Sequence, residues 1–204
     1  MSLRQRIFVI GWIAFVLYAI FLAPEGSHGY LQQLMTMDDP DPFLLMIFSF
    51  LGIYPLVFVS LLIGEDRSRL PLWPFLLGMF MLGAFALMPY FFLSNARNMR
   101  EGRVPGWLVK VFHTRFFIFI LIIVTVVLLW YGIVYGDFIS YSQAFQISNF
   151  VHVMTIDFIV LTGLSIFVIY WKEHRRGRAN QRHWMGIIPI FGALFYLLRL
   201  KEES

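Results

Sequence analysis

The chain contains no cysteine, so disulfide bonds, thiolate catalysis, iron–sulfur clusters and cysteine-ligated zinc are excluded. Charged residues are also scarce: they make up 14% of the chain, against about a quarter in a typical soluble domain, whereas 59% of the residues are hydrophobic. This composition excludes a disordered chain and is not typical of a water-soluble protein. Lysine occurs only at Lys110, Lys172 and Lys201, so arginine carries nearly all of the positive charge.

Sequence signatures of membrane enzymes are missing as well. The chain has no histidine boxes, no His-Glu-x-x-His, no Gly-x-Ser-x-Gly and no aspartate-rich prenyl-diphosphate motif. The acidic run from Asp38 to Asp41 lacks the glycine and the distal glutamate of a calcium loop, so we interpret it as a helix cap with a solvated loop. We therefore expect no metal site and no cofactor. An enzyme that uses isolated carboxylates on a lipid substrate would still escape this test.

Six apolar segments approach the roughly 20 residues that a helix needs to cross a bilayer. The sequence therefore predicts an all-α, polytopic transmembrane helical bundle of about six spans, with residues 1–204 forming a single integral membrane domain. Asp41 and Pro42 supply an N-cap acceptor and a first-turn proline for the second span. The predicted spans are Ile7–Leu22, Phe43–Gly64, Pro71–Leu93, Phe116–Tyr135, Phe150–Trp171 and Trp184–Leu200.

The two halves of the sequence have a similar outline: a span, a polar loop, a second span, a charged turn and a third span. The third spans share a small-residue pair, Gly83-Ala84 in one half and Gly192-Ala193 in the other. The pattern suggests repeats at 7–93 and 116–200, joined by a basic interfacial connector at 94–115. Three spans per half would make the repeats inverted, as in many transporters. Helix pairs in membranes commonly share such features, which leaves duplication open.

Six spans would divide the cations unevenly between the two sides of the membrane. One side would hold six Lys and Arg residues together with both termini, and the other side would hold ten. Because cytoplasmic loops are rich in Lys and Arg, this predicts termini outside the cytoplasm. Arg4 and Arg6 favour the opposite orientation. They also precede an apolar run as in a signal peptide, but no small-residue cleavage site follows, so we expect the run to stay as the first span.

Asp157 is the most informative single residue. Fourteen residues separate it from the end of its predicted span, too few to cross a membrane, so its carboxylate is expected roughly 8–12 Å inside. Ionisable groups at such depth are costly and tend to be functional. Desolvation disfavours the charged form, which suits Asp157 to carry or donate a proton. The alternative is a structural hydrogen bond to a Tyr, Ser or Thr on a neighbouring span.

Other candidate site residues lie nearer the predicted membrane surfaces. Glu65 and Glu173, in the charged turns, are further candidates for a catalytic acid. All five histidines lie near span ends, which argues against a b-type haem, but His113 and His152 are weak candidates for binding a cofactor such as chlorophyll. A proton relay from His152 to Asp157 is disfavoured by their offset on the helix. An arginine-rich turn is either an orientation signal or a site for an anion or lipid headgroup; its members are Arg175, Arg176, Arg178 and Arg182.

The stretch from Asp157 to Arg199 contains an intramembrane Asp, a charged turn, a Trp opening the next span and a Tyr-Leu-x-Arg end; the residues are Asp157, Glu173, Arg176, Gly177, Trp184, Tyr196 and Arg199. This stretch resembles a group of small uncharacterised prokaryotic membrane proteins. The segment Leu22–Glu25, with the Phe-rich and Lys-poor composition, is similar to small membrane proteins of cyanobacteria and chloroplasts. The resemblance implies a plasma-membrane or thylakoid location and no particular activity.

Three functions are compatible with these features. The first prediction is a non-catalytic accessory or assembly component of a larger membrane complex, such as a photosynthetic one, with other membrane-protein subunits as partners. The second is a small transporter or channel with Asp157 at its site. The third is a membrane-embedded enzyme acting on an isoprenoid or lipid, with Asp157 and Glu65 or Glu173 as acids. The net charge of +4 is attributed to arginines beside lipid headgroups, so no nucleic-acid partner is expected.

Overall fold

The computed structural model describes residues 2–26, 29–65, 70–94, 104–175, 177 and 181–202. All regular structure within these ranges is helical, which confirms the predicted all-α class. Four of the helices are long and apolar enough to cross a membrane. These four are α1 (Leu3–Phe21), α3 (Pro42–Leu62), α7 (Arg115–Tyr135) and α9 (Asn149–Arg175).

Shorter helices connect and flank the four long ones. Two of them are 3-10 helices, one extending α3 and one preceding the last helix. The bounds are α2 (Tyr30–Thr36), the 3-10 helix Ile63–Glu65, α4 (Trp73–Leu82), α5 (Ala84–Leu93), α6 (Gly106–Phe112), α8 (Phe138–Ile147), the 3-10 helix Gln181–Ile187 and α10 (Phe191–Glu202).

The predicted start of α3 is confirmed. Asp41 Oδ1 accepts hydrogen bonds from the backbone N–H groups of Phe43 and Leu44, at 2.9 and 3.1 Å, and Pro42 occupies the first helical position. These contacts satisfy amide groups that a helix N-terminus otherwise leaves without partners. The other carboxylate oxygen of Asp41 accepts from the backbone N–H of Asp137 at 3.0 Å. Asp41 therefore also joins the start of α3 to the end of α7.

The prediction that the third and sixth apolar segments are single helices is wrong. The third segment breaks at Gly83, whose φ of 52° and ψ of −129° are incompatible with a continuing helix. The sixth breaks after the 3-10 helix, where Pro189 lacks a backbone N–H and Ile190 has a φ of 60°. Each resulting helix has at most twelve residues, about 18 Å, which is short of a bilayer's hydrocarbon thickness.

The two halves of the third segment fold back on each other as a helical hairpin. The rings of Phe75 in α4 and Tyr90 in α5 lie 5.7 Å apart. A Cβ atom placed on Gly78 would lie 3.0 Å from the Cβ of Ala86. In each pair one residue precedes Gly83 and the other follows it, yet the two are in contact. The chain therefore reverses direction at Gly83. We call residues 73–93 the first hairpin and Gly83 its tip.

The sixth segment forms a second reversal. Its 3-10 helix runs back along α9, so that the rings of His183 and Tyr170 lie 5.6 Å apart. α10 then returns, and the Tyr196 hydroxyl donates to Oε1 of Glu173 at 2.7 Å. We call residues 181–202 the second hairpin and Ile190 its tip.

The long helices α3 and α9 run in the same direction through the centre of the bundle. Phe50 stacks against Phe158, and the Tyr54 hydroxyl lies 2.6 Å from the hydroxyl of Thr162. Further along, Lys172 Nζ donates to the Leu61 carbonyl at 2.7 Å. Residue numbers therefore rise together on the two helices. An inverted repeat would place α3 and α9 antiparallel, so the expectation of inverted repeats is wrong.

The other two long helices run opposite to this pair. Tyr18, near the end of α1, is 2.6 Å from His152 near the start of α9, whereas Phe8 contacts Phe167 at a ring distance of 4.7 Å. The end of α7 meets the start of α3 through the bond between Asp137 and Asp41. One end of the bundle therefore holds the starts of α1 and α7 and the ends of α3 and α9. The opposite end holds α2 and α8.

We name these two ends by their charged residues. The end with the starts of α1 and α7 is the basic face. The opposite end is the acidic face, because the residues from 22 to 41 and from 136 to 149 include no Lys or Arg. Its acidic residues are Glu25, Asp38, Asp39, Asp41 and Asp137.

The connector between the two halves contains α6, which begins at Gly106. α6 ends at Phe112 and is separated from α7 by His113 and Thr114, so it is a distinct helix rather than an extension of the fourth span. A Cβ atom on Gly64 would lie 3.8 Å from the His113 ring, which places the end of α6 beside the end of α3 at the basic face. Residues 95–103 of the connector lie outside the described residues.

Candidate functional site

Asp157 caps a helix that begins inside the bundle. Its side chain is 6% exposed, and Oδ1 accepts a hydrogen bond of 2.8 Å from the backbone N–H of Ala84, the first residue of α5. Gly83 cannot cap α5 itself because it has no side chain. A carboxylate at a helix N-terminus satisfies an unpaired amide and interacts favourably with the helix dipole. The cap is thus supplied by α9 to the tip of the first hairpin.

Glycine is required at the tip of the first hairpin. A Cβ atom on Gly83 would overlap Oδ2 of Asp157. The φ of 52° at this position is also one that residues with a Cβ rarely adopt. The backbone can approach the carboxylate this closely only because no side chain intervenes.

A cavity of about 530 Å³ lies next to this tip, between α3, the first hairpin and α9. Gly83, Met154 and Asp157 are buried lining residues at its inner end, whereas Phe80 and Met81 of α4 are exposed at its rim. Most of the lining is apolar. The polar side chains among the lining residues are those of Ser49, Asn149 and Asp157. The arrangement can hold a largely apolar molecule with one polar or charged group near Asp157.

His152 has hydrogen-bond partners on both ring nitrogens. Nδ1 lies 3.0 Å from the Phe145 carbonyl, and Nε2 lies 2.6 Å from the Tyr18 hydroxyl. Because a carbonyl only accepts, Nδ1 carries a proton, and Nε2 can accept from Tyr18 in the neutral ring. Asp157 bonds Ala84 instead, so no hydrogen bond links it to His152 in the described part of the chain. The geometry gives His152 a role in joining α1, α8 and α9.

The second candidate histidine, His113, lies at the opposite end of the bundle. It follows α6 at the basic face, and its Nδ1 is 2.8 Å from the Val109 carbonyl. His152 lies near the acidic face. The two histidines therefore do not form one cofactor site.

Two charged side chains are buried side by side in sequence near the end of α9. Lys172 and Glu173 are each 2% exposed. Lys172 donates to the Leu61 carbonyl, and Glu173 Oε1 accepts from Tyr196, whereas Glu173 Oε2 is buried without a hydrogen-bond donor. Sequence reasoning placed both residues in a surface turn. Their burial could have been found from helical spacing, since the apolar residues Leu161, Leu164 and Val168 lead at intervals of three and four to Lys172, and Ile169 leads in the same way to Glu173.

Several predicted site residues fall outside the described structure. Arg176 and Arg178 are not described, and only the backbone is described at Glu65, Arg175 and Arg182. The anion or headgroup site and the role of Glu65 therefore stay predictions. Among the residues that are described, no group of three or more His, Cys, Asp or Glu side chains is placed to hold a metal ion.

Comparison with protein-family models, with curated protein sequences and with solved structures gives no match. The resemblance to small prokaryotic and chloroplast membrane proteins therefore stays a prediction. The capped tip and its cavity are the features from which a function can be argued. Sequence reasoning singled out Asp157 but found neither the helix break nor the cavity beside it.

Proposed function

We propose that the protein is a small membrane transporter whose solute site is the cavity at the tip of the first hairpin. The observation that carries this proposal is the capping of α5 by Asp157 inside the bundle. Helices interrupted within the membrane, with the N-terminus of a half-helix pointing at an anionic group of the substrate, recur in secondary transporters. Here the anionic group is a side chain of the protein, which can exchange the α5 amide for a proton or a solute.

In this proposal only α1, α3, α7 and α9 cross the membrane. Both hairpins enter from the basic face and return to it. Irregular backbone within a membrane is tolerated when it is buried in protein or lines a cavity. The first tip meets Asp157, and the second tip lies beside Tyr54 and Thr162 at the centre of α3 and α9. The two halves, 3–93 and 115–202, would then be parallel repeats of two spans and one hairpin.

The distribution of cations supports this arrangement. Nine of the sixteen Lys and Arg residues occupy described positions in elements that begin or end at the basic face. The other seven lie in sequence between elements that both meet that face. The positive-inside rule then places the basic face in the cytoplasm. With four spans the cations are no longer divided six to ten between the two sides of the membrane. A cytoplasmic basic face also agrees with Arg4 and Arg6, which favour a cytoplasmic N-terminus.

Single cysteines can test the proposal, since the chain contains none of its own. Val153 lines the cavity and is changed to cysteine. In membrane vesicles of known orientation, a membrane-impermeant maleimide is applied to one face at a time. A transporter exposes its site alternately, so Val153→Cys is expected to react from both faces. Asp157→Asn in the same background is expected to shift the ratio of the two rates.

Two exposed positions serve as controls for sidedness. Ile139→Cys, in α8 at the acidic face, is expected to react from that face only. Lys110→Cys, in α6, is expected to react only from the basic face. If Val153→Cys reacts from a single face under all conditions, the cavity is a fixed cleft and the transport proposal fails.

A lipid-modifying enzyme is the second candidate. It is favoured by one observation: the buried carboxyl group of Asp157 faces an apolar cavity whose rim residue Met81 is 89% exposed on α4, where lipid would lie. Such a site suits protonation of an apolar substrate. One-sided labelling together with turnover that Asp157→Asn abolishes would support this alternative.

The accessory role also stays a prediction, as do its protein partners and the choice between plasma membrane and thylakoid. It rests on the broad apolar surface of the bundle. Trp130 and Tyr135 of α7 are exposed on that surface. A lipid bilayer would cover the same residues, so exposure alone does not favour a protein partner.

A further inference from the structure

We infer that the solute of this cavity is a lipophilic monovalent cation, that is, a molecule with an apolar body and a single positive charge. The inference rests on the proposed function and names the substrate class of that site. It is carried by the cavity lining, by the position of Asp157 and by the charge of the face towards which the cavity extends.

The walls of the cavity require an apolar body. Phe48 and Leu51 come from α3, Phe80 and Met81 from α4, and Met154 from α9. A small hydrated ion would lose its water shell against these side chains without replacement, because polar lining groups are few. A volume of about 530 Å³ falls within the range of sites for drug-sized molecules.

The inner end of the cavity favours a positive charge. Asp157 is buried there, and its partner among the described residues is one backbone amide. Among the described residues, no Lys or Arg lines the cavity. A buried carboxylate without a cation nearby is stabilised when a positive charge enters the same apolar space. A cationic solute would therefore bind more strongly than a neutral molecule of the same shape.

The cavity also extends towards the acidic face. Its lining includes Met37, beside Asp38 and Asp39, and Asn149, the exposed first residue of α9. All charged residues of the sequence between 22 and 41 and between 136 and 149 are acidic. A surface of one sign concentrates ions of the opposite sign at a nearby cleft. Cations would thus collect where the cavity opens.

One acidic residue of this face keeps its charge even in mild acid. The Asp137 carboxylate accepts hydrogen bonds from the Ser140 hydroxyl at 2.6 Å and from the Ile139 backbone at 2.9 Å. These bonds hold the pKa of Asp137 below its usual value. The negative charge of Asp137 at the acidic face therefore persists over the physiological pH range.

Two probes of nearly equal shape and opposite charge test the inference. Binding of tetraphenylphosphonium and of tetraphenylborate is measured in separate samples of the full chain in neutral phosphatidylcholine nanodiscs. Empty nanodiscs give the background. We expect saturable binding of the cation and no saturable binding of the anion. Tetramethylammonium, which has the charge without the apolar body, is expected to bind at least about tenfold more weakly than tetraphenylphosphonium. Equal binding of both tetraphenyl ions would overturn the inference.

The variants begin with Asp157→Asn, which we expect to weaken tetraphenylphosphonium binding about tenfold or more. Because this change could also unfold the first hairpin, a rim pair is compared as well. Asn149 is exposed, and its backbone N–H bond to the Gly26 carbonyl is available to Lys and Asp as well. Asn149→Lys should weaken binding and Asn149→Asp should strengthen it, each about threefold at low salt and less at high salt. Unchanged binding in both rim variants would contradict a cation site here.

The two proposals fail in different ways. Labelling of Val153→Cys from both faces without cation binding would leave the transporter standing and refute the substrate class. Cation binding with labelling from one face would refute transport and leave a cation-binding cleft.

Discussion

The two hairpins share a layout but differ at their tips. The first consists of two α-helices that meet at Gly83, where a carboxylate from α9 caps the returning helix. The second consists of a 3-10 helix and α10, and its tip at Ile190 lies beside the Tyr54 hydroxyl of α3. Tyr54 is in turn paired with Thr162 at 2.6 Å. The second tip therefore lies against neutral hydroxyl groups, and the first tip lies against a carboxyl group.

This difference indicates which hairpin serves structure and which serves function. Neutral hydroxyl groups satisfy each other in a buried site at little cost. Burial of a carboxylate at the same depth costs roughly 2.5–3.5 kcal/mol on membrane-insertion scales. A Ser or Thr would cap α5 without that cost. The presence of Asp157 is therefore explained better by a role in binding than by capping alone.

The largest expected effect is that of Gly83→Ala. The new methyl group would displace Asp157 and force a strained φ, so we expect a loss of at least about 2 kcal/mol of stability. Gly163→Ala is the matched control, because Gly163 lies in the helical interior of α9, and a Cβ atom added there would have nothing within 4 Å. That control should be neutral or slightly stabilising. Thermal unfolding in mild detergent measures both, and equal midpoints would show that the first tip is not tightly packed.

Replacing the polar group at each tip should show which hairpin matters for binding and which matters for stability. Asp157→Asn keeps the size of the side chain, and we expect it to weaken cation binding about tenfold or more while the protein still folds. Tyr54→Phe removes the bond to Thr162 and should cost about 1 kcal/mol of stability with little change in binding. Binding assays and unfolding curves on both variants make the test. Loss of binding in Tyr54→Phe at full stability would reverse the assignment of roles.

An effect on stability alone is expected where the second hairpin is anchored. Tyr196→Phe removes the donor to Glu173 Oε1, whose partner oxygen already lacks a donor, so we expect a loss of about 1–3 kcal/mol. Glu173→Gln should be nearly neutral, because it removes a poorly satisfied buried charge. Unfolding midpoints of the two variants test this order. If Glu173→Gln is the more damaging change, the carboxylate has a role beyond anchoring α10.

The contrast between the tips also shows what sequence patterns can predict here. Apolar length located the four long helices, and Asp41 with Pro42 located the start of α3, because these signals act within one helix. The third and sixth segments have the same composition as spans, and hydropathy cannot distinguish one long helix from two short antiparallel ones. The φ values at Gly83 and Ile190 depend on tertiary contacts that local patterns do not contain.

The candidate site was predicted in one part only. Asp157 was identified from its depth, since a charge inside an apolar run is visible in the sequence. Its partner Ala84 lies 73 positions away, so nothing local could reveal the cap. Lys172 and Glu173 were misplaced because charge near a helix end usually indicates solvent, whereas here Lys172 reaches the end of α3 and Glu173 packs against the second hairpin.

The smallest expected effect concerns the connections between helices at the acidic face. In the first half α2 begins at Gly29 without a side-chain cap, whereas in the second half Asp137 caps α8. Because the folded pKa of Asp137 is lowered, its stabilising contribution is present above the unfolded pKa, near 4, and is lost as the pH falls through the lowered value. Asp137→Asn should therefore slightly lower the unfolding midpoint near neutral pH and leave it unchanged in strong acid. A difference that persists in acid would show that the cap acts through shape rather than charge.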